Sequence, residues 1–414
     1  MASSWRLWCL TLLLPYLITV KLLRYNRRDC LQKQFGYHDR ASLGRMTLAE
    51  AHAIQTTLGE VEFPKIFSTS IFFALFKTYG IPSISSLLVS TGQLSSDATA
   101  SKRAADTGII ITEVVLNKPS SPRAINGIAR MNYLHDRYRK AGKISDEDML
   151  YTLALFALEP IRWTNRYEWR TLTDMERCAM GMYWKDLGDA MEIPYTALKS
   201  GKDGWRDGLQ WLDELEEWSD AYEEQYMVPA EANNQLANAT LNLALFPLPR
   251  WIRGVILSFA LVLLDKRLRF AMMLDDPPLI CERIMHLVFN IRKYLLRHIA
   301  LPRPYGMRQR WFTETPDPQT GLHHPMRYIA HPWYMKPSFK ARWGLGAWVR
   351  WLSRKPLPGD EGKKYHPEGY AIREMGPEGL KDKGYEEMEK TIERLSRTKD
   401  RLSCPFAAHQ SPSG

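Results

Sequence analysis

The chain has 414 residues, 45% of them hydrophobic and 25% charged, with a formal charge of +10, an ordinary globular composition with length for one large domain or two small ones. Lysines and arginines are scattered among acids in most segments and no nucleic-acid motif occurs, so a nucleic-acid partner is not expected. Cys9, Cys30, Cys178, Cys281 and Cys404 are odd in number and lack CxxC or metal-like spacing, which argues for reduced thiols and against a disulfide framework or a structural zinc site.

The strongest membrane signal is residues 5–23, WRLWCLTLLLPYLITVKLL, broken only by Pro15, with Arg6 and Lys21 able to snorkel. Lys21, Arg24, Arg27 and Arg28 follow or close the run against Arg6 before it, so the positive-inside rule places the bulk of the chain in the cytosol. No small-x-small cleavage site is evident, and a retained single-pass anchor is expected over a cleaved signal peptide. The domain reading is an anchor and basic flank at 1–28, a helical domain at 29–300, and a Pro- and Trp-rich extension with a charged helix at 301–414 that packs on the same domain.

Residues 63–79 are apolar on several faces and closed by Gly80 and Pro82. They are too short and interrupted for a second span, and a buried helix or one lining an apolar tunnel is expected. Residues 96–116 read as a helix starting at Ser96 or Asp97. Its stripe Arg103, Asp106, Thr107, Ile110, Val114 carries a cation, a carboxylate and a hydroxyl toward the core.

Ser121 followed by Pro122 starts the next helix, which can run to Gly142. Ile128, Met131, His135 and Tyr138 share one face, and Arg123, Arg130, Arg137 and Arg139 spread over the polar remainder. An imidazole on an interior face needs partners for its ring nitrogens; a neighbouring side chain, a metal ion or a haem iron would serve. Two consecutive helices thus aim polar groups inward, as an internal salt bridge or a lined cavity would require.

A third helix opens at Ser145, with Asp148 in the capping-box position, and is expected to stop at Glu159-Pro160. The connection 162–170, RWTNRYEWR, could hold carboxylates with its guanidinium forks or be a solvated loop. Thr173 and Glu176 form a capping box for a helix to Met191, and 205–222 gives an acidic amphipathic helix. Residues 251–264, WIRGVILSFALVLL, are a core helix or one lying in a lipid interface. His286 and His298, on the helix at 278–299, are weak metal-ligand candidates. Beyond 301 the texture turns irregular; His323, His324 and His331 read as loop histidines, 343–351 as an aromatic face, and 379–397 as a charged helix. Strand-like alternation is nearly absent and GxGxxG, P-loop, GxSxG and HExxH motifs are lacking, so the fold class is all-α, a multi-helix globular domain behind an N-terminal transmembrane helix.

Arg103-x-x-Asp106-Thr107, followed one helix later by His135, resembles the catalytic domain shared by bacterial latex-clearing rubber oxygenases and fungal ER-bound oxygenases of the MpaB type. RMNYLHDRY (130–138), TYGIPSIS (78–85), MLYTLALFALEPIRW (149–163) and KYHPEGY (364–370) bring it closer to the fungal branch over nearly the whole chain. The resemblance implies haem b with His135 as axial metal ligand, Arg103 and Thr107 on the distal or propionate side, and dioxygen as co-substrate. Asp106 stands where the rubber oxygenases have lysine, which puts a base or oxygen-activating role there in doubt. The implied function is an ER-membrane-bound oxygenase, facing the cytosol, that acts on a lipophilic prenyl, terpenoid or polyketide chain by cleaving a C=C bond, with membrane lipid as its other partner. The rival readings are a membrane-anchored helical scaffold and a non-haem metal oxygenase using His135 with Asp106.

Overall fold

The computed structural model describes residues 2–92 and 97–397, together with Cys404 and Phe406; for residues 2–10, 97 and 98 the backbone alone is described. Among the described residues there is no strand, only two isolated bridges, Phe312 with Pro325 and His323 with Tyr370. The all-α expectation holds. The helices that build the core are α1 (Ala2–Arg24), α2 (Leu48–Thr57), α3 (Pro64–Thr78), α4 (Pro82–Ser90), α5 (Asp97–Leu116), α6 (Pro122–Lys140), α7 (Asp146–Tyr167), α8 (Asp174–Ala190), α9 (Gly208–Tyr226), α10 (Glu231–Leu245), α11 (Arg250–Val262), α12 (Leu279–His298), α13 (Leu345–Leu352) and α14 (Tyr385–Arg397).

The most extensive packing is α3 on α7, with α8 laid on α2, α7 and α9, and α5 paired with α6. Helix starts follow the local chemistry. Ser121 Oγ accepts the Ala124 amide, and Thr173 with Glu176 forms a complete capping box. At Ser145 the box is only half made, because the Asp148 carboxylate accepts instead from Ser83 and Tyr222 at 2.8 and 2.9 Å. Where α8 crosses α9 the backbones nearly touch: a Cβ on Gly181 would lie 2.2 Å from the Gly208 carbonyl oxygen, so only glycine permits this approach.

The expected stop at Pro160 is corrected. Pro160 lies inside α7, which continues to Tyr167. The lost hydrogen bond and ring clash cost about 3 kcal/mol, but Ile161, Trp163, Thr164 and Tyr167 beyond it are all buried, and burying one large apolar side chain returns about 1.5–3 kcal/mol. Arg162 and Arg166 are therefore helical rather than parts of a loop. The helix expected to open at Ser96 is described from Asp97 onward; Ser96 is outside the described residues.

α3 is largely buried, as expected, and turns by 88° into α4; together the two have the length and apolarity of a broken span. In its last turn Lys77 is buried among acids, 2.8 Å from Glu223 and 3.6 Å from both Glu159 and Asp265. Burial opposes its ammonium, and the Glu159, Glu223 and Asp265 charges outweigh that and raise its pKa. Tyr151 donates to Glu223, and Trp163 and Arg162 donate to Glu159.

Among the described residues no single helix is long and apolar enough to cross a membrane. α1 is a 23-residue helix, yet its C-terminal part is docked: Val20 is buried, Tyr16 donates to the Ile299 carbonyl at 2.8 Å, and Arg24 donates to the Ala300 carbonyl. α1 packs on α12, and α12 on α11. The core-helix reading of 251–264 is corrected, since within α11 only Leu261 is buried and Trp251 is 82% exposed.

α12 has three faces. Cys281, Phe289 and Leu296 pack inward, Phe289 against Tyr167, and Arg292 on the same side binds Glu168. Arg283, His286, Asn290 and Arg297 form a polar face. Between them Ile280, Ile284, Leu287, Val288, Ile291 and Leu295 make an apolar stripe at i, i+4, i+7, i+8, i+11 and i+15, every member exposed. In the irregular region α13 is similar in character, with Trp348 and Trp351 exposed and Ala347 alone buried.

Candidate functional site

α5 and α6 run together and place the sequence-predicted residues on one large cavity of about 890 Å³. Its wall is mainly aliphatic and aromatic, drawn from α3, α4, α5, α6, α7, α8 and α10 and from segments after residue 310. The volume lies toward the upper end of the ~300–1,000 Å³ range of small-molecule and cofactor sites. Arg103, Asp106, Thr107 and His135 all line it, so the spacing read from sequence does converge.

His135 reaches the cavity with its ring half-buried. Its Nδ1 is enclosed and has no hydrogen-bond partner among the described residues. Desolvation, followed by the nearby Arg103 charge, lowers its pKa to about 4 against a small opposing pull from the Met131 carbonyl one turn back. The ring is thus a neutral imidazole at cellular pH, the form that binds metal. Arg103 itself makes no hydrogen bond or ion pair among the described residues, so an unneutralised guanidinium faces the cavity beside that imidazole. Such a cation matches a carboxylate.

Asp106 differs from its three companions. Its carboxylate is buried and both oxygens are taken: Lys102 donates to Oδ2 at 2.8 Å and the Tyr334 hydroxyl donates to Oδ1 at 2.8 Å. Burial raises its pKa, opposed by Lys102, Tyr334 and Arg103. With both lone-pair faces engaged it is poorly placed to ligate a metal or to act as a base. Among the described residues no group of three or more His, Cys, Asp or Glu converges as an ion site, so His286 and His298, on the outer side of α12, and His323, His324 and His331 do not assemble one. A centre that needs one imidazole from the protein makes no such demand.

The 162–170 arginines are corrected as candidate holders of haem propionates. Arg162 pairs with Glu159, Glu216 and Asp220, Arg170 pairs with Glu176, and neither lines the cavity. Sequence reasoning also placed Arg130 on a polar face, whereas it is fully buried and donates to the carbonyls of Met375, Leu380 and Lys383 at 2.7–3.1 Å. Tyr334 and the wall residues Trp311 and Tyr328 were missed. Nothing local marks them: Tyr334 bonds to Asp106, 228 residues away, and Trp311 and Tyr328 meet the cavity only because their irregular segment is laid against α5 and α6.

A second histidine provides a control for acidity. His52 is buried, lies 3.3 Å from Thr56 Oγ1, and desolvation lowers its pKa to about 4 as well. In the unfolded chain both rings titrate near the ordinary 6.5, so between 6.5 and about 4 the unfolded state binds more protons. Their contribution to stability is full above 6.5 and is lost as pH falls toward 4. Denaturation midpoints recorded across that window should fall with acidification, and His52→Ala and His135→Ala should each remove part of the slope. Slopes unchanged in both would contradict the depressed pKa values.

Comparison with known proteins places the chain in a family. Residues 80–290 match the family model described as ER-bound oxygenase mpaB/B'/Rubber oxygenase, catalytic domain. The chain is 43% identical over 396 residues to "ER-bound oxygenase mpaB'" of Penicillium brevicompactum, covering 95% of this chain and 93% of that one. It is 40% identical over 375 residues to "ER-bound oxygenase mpaB" of the same organism, covering 89% and 88%. "ER-bound oxygenase mpaB" of Penicillium roqueforti (strain FM164) is 46% identical over 270 residues, covering 65% and 91%.

Proposed function

The chain belongs to the family of mpaB/B' and rubber oxygenases and is an oxygenase, an oxidoreductase that uses dioxygen; from that premise we propose that it oxidises a lipophilic prenyl, terpenoid or polyketide chain at the endoplasmic reticulum membrane, by cleavage of a C=C bond, in a secondary-metabolite pathway. The observation that carries this reading is the large apolar cavity in which His135 presents a neutral, half-buried imidazole beside the unpaired Arg103.

The residues fit haem b. His135 would hold its iron through the imidazole, and Arg103, which makes no hydrogen bond or ion pair among the described residues, would take a propionate. When bound, the haem supplies an iron at which dioxygen can be activated. The protein's part is to exclude water with the aliphatic and aromatic wall, to hold the alkene in that wall, and to offer the Thr107 hydroxyl as a hydrogen-bond donor on the same face of α5. The neutral state of His135 leaves a ring lone pair free for ligation without a prior proton release.

Membrane contact is the second part of the proposal. The relatives' printed names call them ER-bound. The exposed apolar stripe of α12, the exposed Trp251 end of α11 and the outward leucines of α1 form neighbouring surfaces, which suit lipid better than water. We read α1 as the single-pass anchor, with Lys21, Arg24, Arg27 and Arg28 holding the catalytic domain on the cytosolic side.

The test is to purify the full chain in detergent with haem supplied, record its absorption spectrum, and follow dioxygen uptake and carbonyl products with a prenylated phenol as substrate. A Soret band with substrate-dependent uptake is expected. A colourless protein that still consumes dioxygen would overturn the haem assignment, and a coloured one inert toward every isoprenoid chain would overturn the substrate class.

A further inference from the structure

Residues 311–384 lie outside the matched catalytic domain, residues 80–290, yet they supply part of the cavity wall: Trp311, Pro325, Tyr328, Ile329 and Trp333 face it. The way they are held is unusual. Four polar groups on α5 and α6, each nearly or fully buried, hold this segment, two of them, Ser101 and Asp106, from positions on the cavity wall.

Ser101 Oγ accepts from Trp333 Nε1 at 3.0 Å and lies 2.8 Å from His331 Nδ1. Asp106 accepts from the Tyr334 hydroxyl at 2.8 Å. Glu113, which also receives Arg123, accepts from the Tyr370 hydroxyl. Arg130 donates to three carbonyls between Met375 and Lys383. Lys102 adds a bond to the Gly376 carbonyl at 3.1 Å, and α14 packs back on α6.

Apolar contacts alone would let such an irregular segment slide, because they are non-directional. Buried hydrogen bonds do not tolerate a shift, since each group left unpaired costs its full desolvation penalty. The bonds therefore fix the height of the segment above the cavity as well as attaching it.

We propose that residues 311–384 are the roof that sets how long a lipophilic chain the cavity accepts, and that Asp106 is a positioning residue for this roof through Tyr334. The proposal rests on the lipophilic-substrate reading above. It accounts for a carboxylate at the place where the resembling rubber oxygenases have lysine: here the position receives a hydroxyl from the roof.

The experiment uses the full chain in lipid nanodiscs and photo-crosslinking probes made of diazirine-bearing isoprenyl alcohols, graded from farnesol length to solanesol length, with labelled peptides mapped by mass spectrometry. Wild type should be labelled on cavity peptides by short probes and show a length above which labelling stops. Tyr334→Phe and Asp106→Asn, which alter no roof side chain facing the cavity except through the latch, should move that limit to longer probes, as should Tyr328→Ala with Ile329→Ala. Labelling by the longest probe should rise by at least about tenfold, the scale on which a pocket discriminates by size. A limit identical in wild type and all these variants overturns the roof alone. Absence of cavity labelling by any isoprenyl probe, in wild type and variants alike, overturns the lipophilic-substrate reading and the roof together.

Discussion

On the proposed haem ligation, a His135→Ala chain is expected to lose at least about a hundredfold in haem affinity, since even the outer partners of a metal ligand are worth 10–100-fold, and to purify colourless where the wild type is expected to be coloured. Oxygenase activity should fall to background with it. The ring makes no hydrogen bond through Nδ1 among the described residues and already borders open cavity, so its removal leaves no partner stranded and the helical circular-dichroism signal should be unchanged. His52→Ala is the matched control: it removes another neutral, buried histidine that does not line the cavity, and should keep its colour. Added imidazole, free to enter the space vacated in His135→Ala, should restore part of the Soret band. A variant that binds haem with wild-type affinity would show that another group is the ligand.

The largest effect on stability is expected at Lys77. Lys77→Ala would strand the buried Glu223 without the ammonium 2.8 Å away that neutralises it, and would leave Glu159 with Arg162 as its only close cation among the described residues. Removing one partner of a buried charge network costs about 3–5 kcal/mol, which chemical denaturation would read as a lower midpoint at unchanged slope. Lys77→Met combined with Glu223→Gln removes one charge of each sign and should recover much of the loss, because the remaining acid, Glu159, keeps Arg162 and Trp163. A loss under about 1 kcal/mol in the single variant would mean that the acids take up protons at little cost, contrary to the attraction that raises the Lys77 pKa.

The helices were legible because their signals are local. Ser121 with Pro122, and Thr173 with Glu176, mark starts within four residues, and a helical period sufficed to turn Arg103 and Thr107 on one helix and His135 on the next toward the interior. Three kinds of information were not local. Pro160 was read as a stop because the benefit of burying Trp163 and Tyr167 depends on α3 and α12, which the segment itself cannot show. Asp106 looked like a member of the reactive set because its true partner, Tyr334, is 228 residues away. The amphipathic pattern of residues 251–264 reported apolarity correctly but not which medium it would face. Exposure is a property of the assembled molecule, and the stripe of α12 escaped attention for the same reason.

That stripe bears on how the protein can be handled. Deleting residues 1–28 is the obvious route to a detergent-free catalytic fragment, but it would uncover the place where α1 rests near Ile299 and leave Ile284, Leu287, Val288 and Ile291 facing buffer. A fragment with such a flank would be driven to associate with its own copies, and its apparent size in solution would rise with concentration. Exposed apolar surface is thus distributed along the chain, and an amphiphile chosen to cover α12 would serve a shortened protein as much as the whole one.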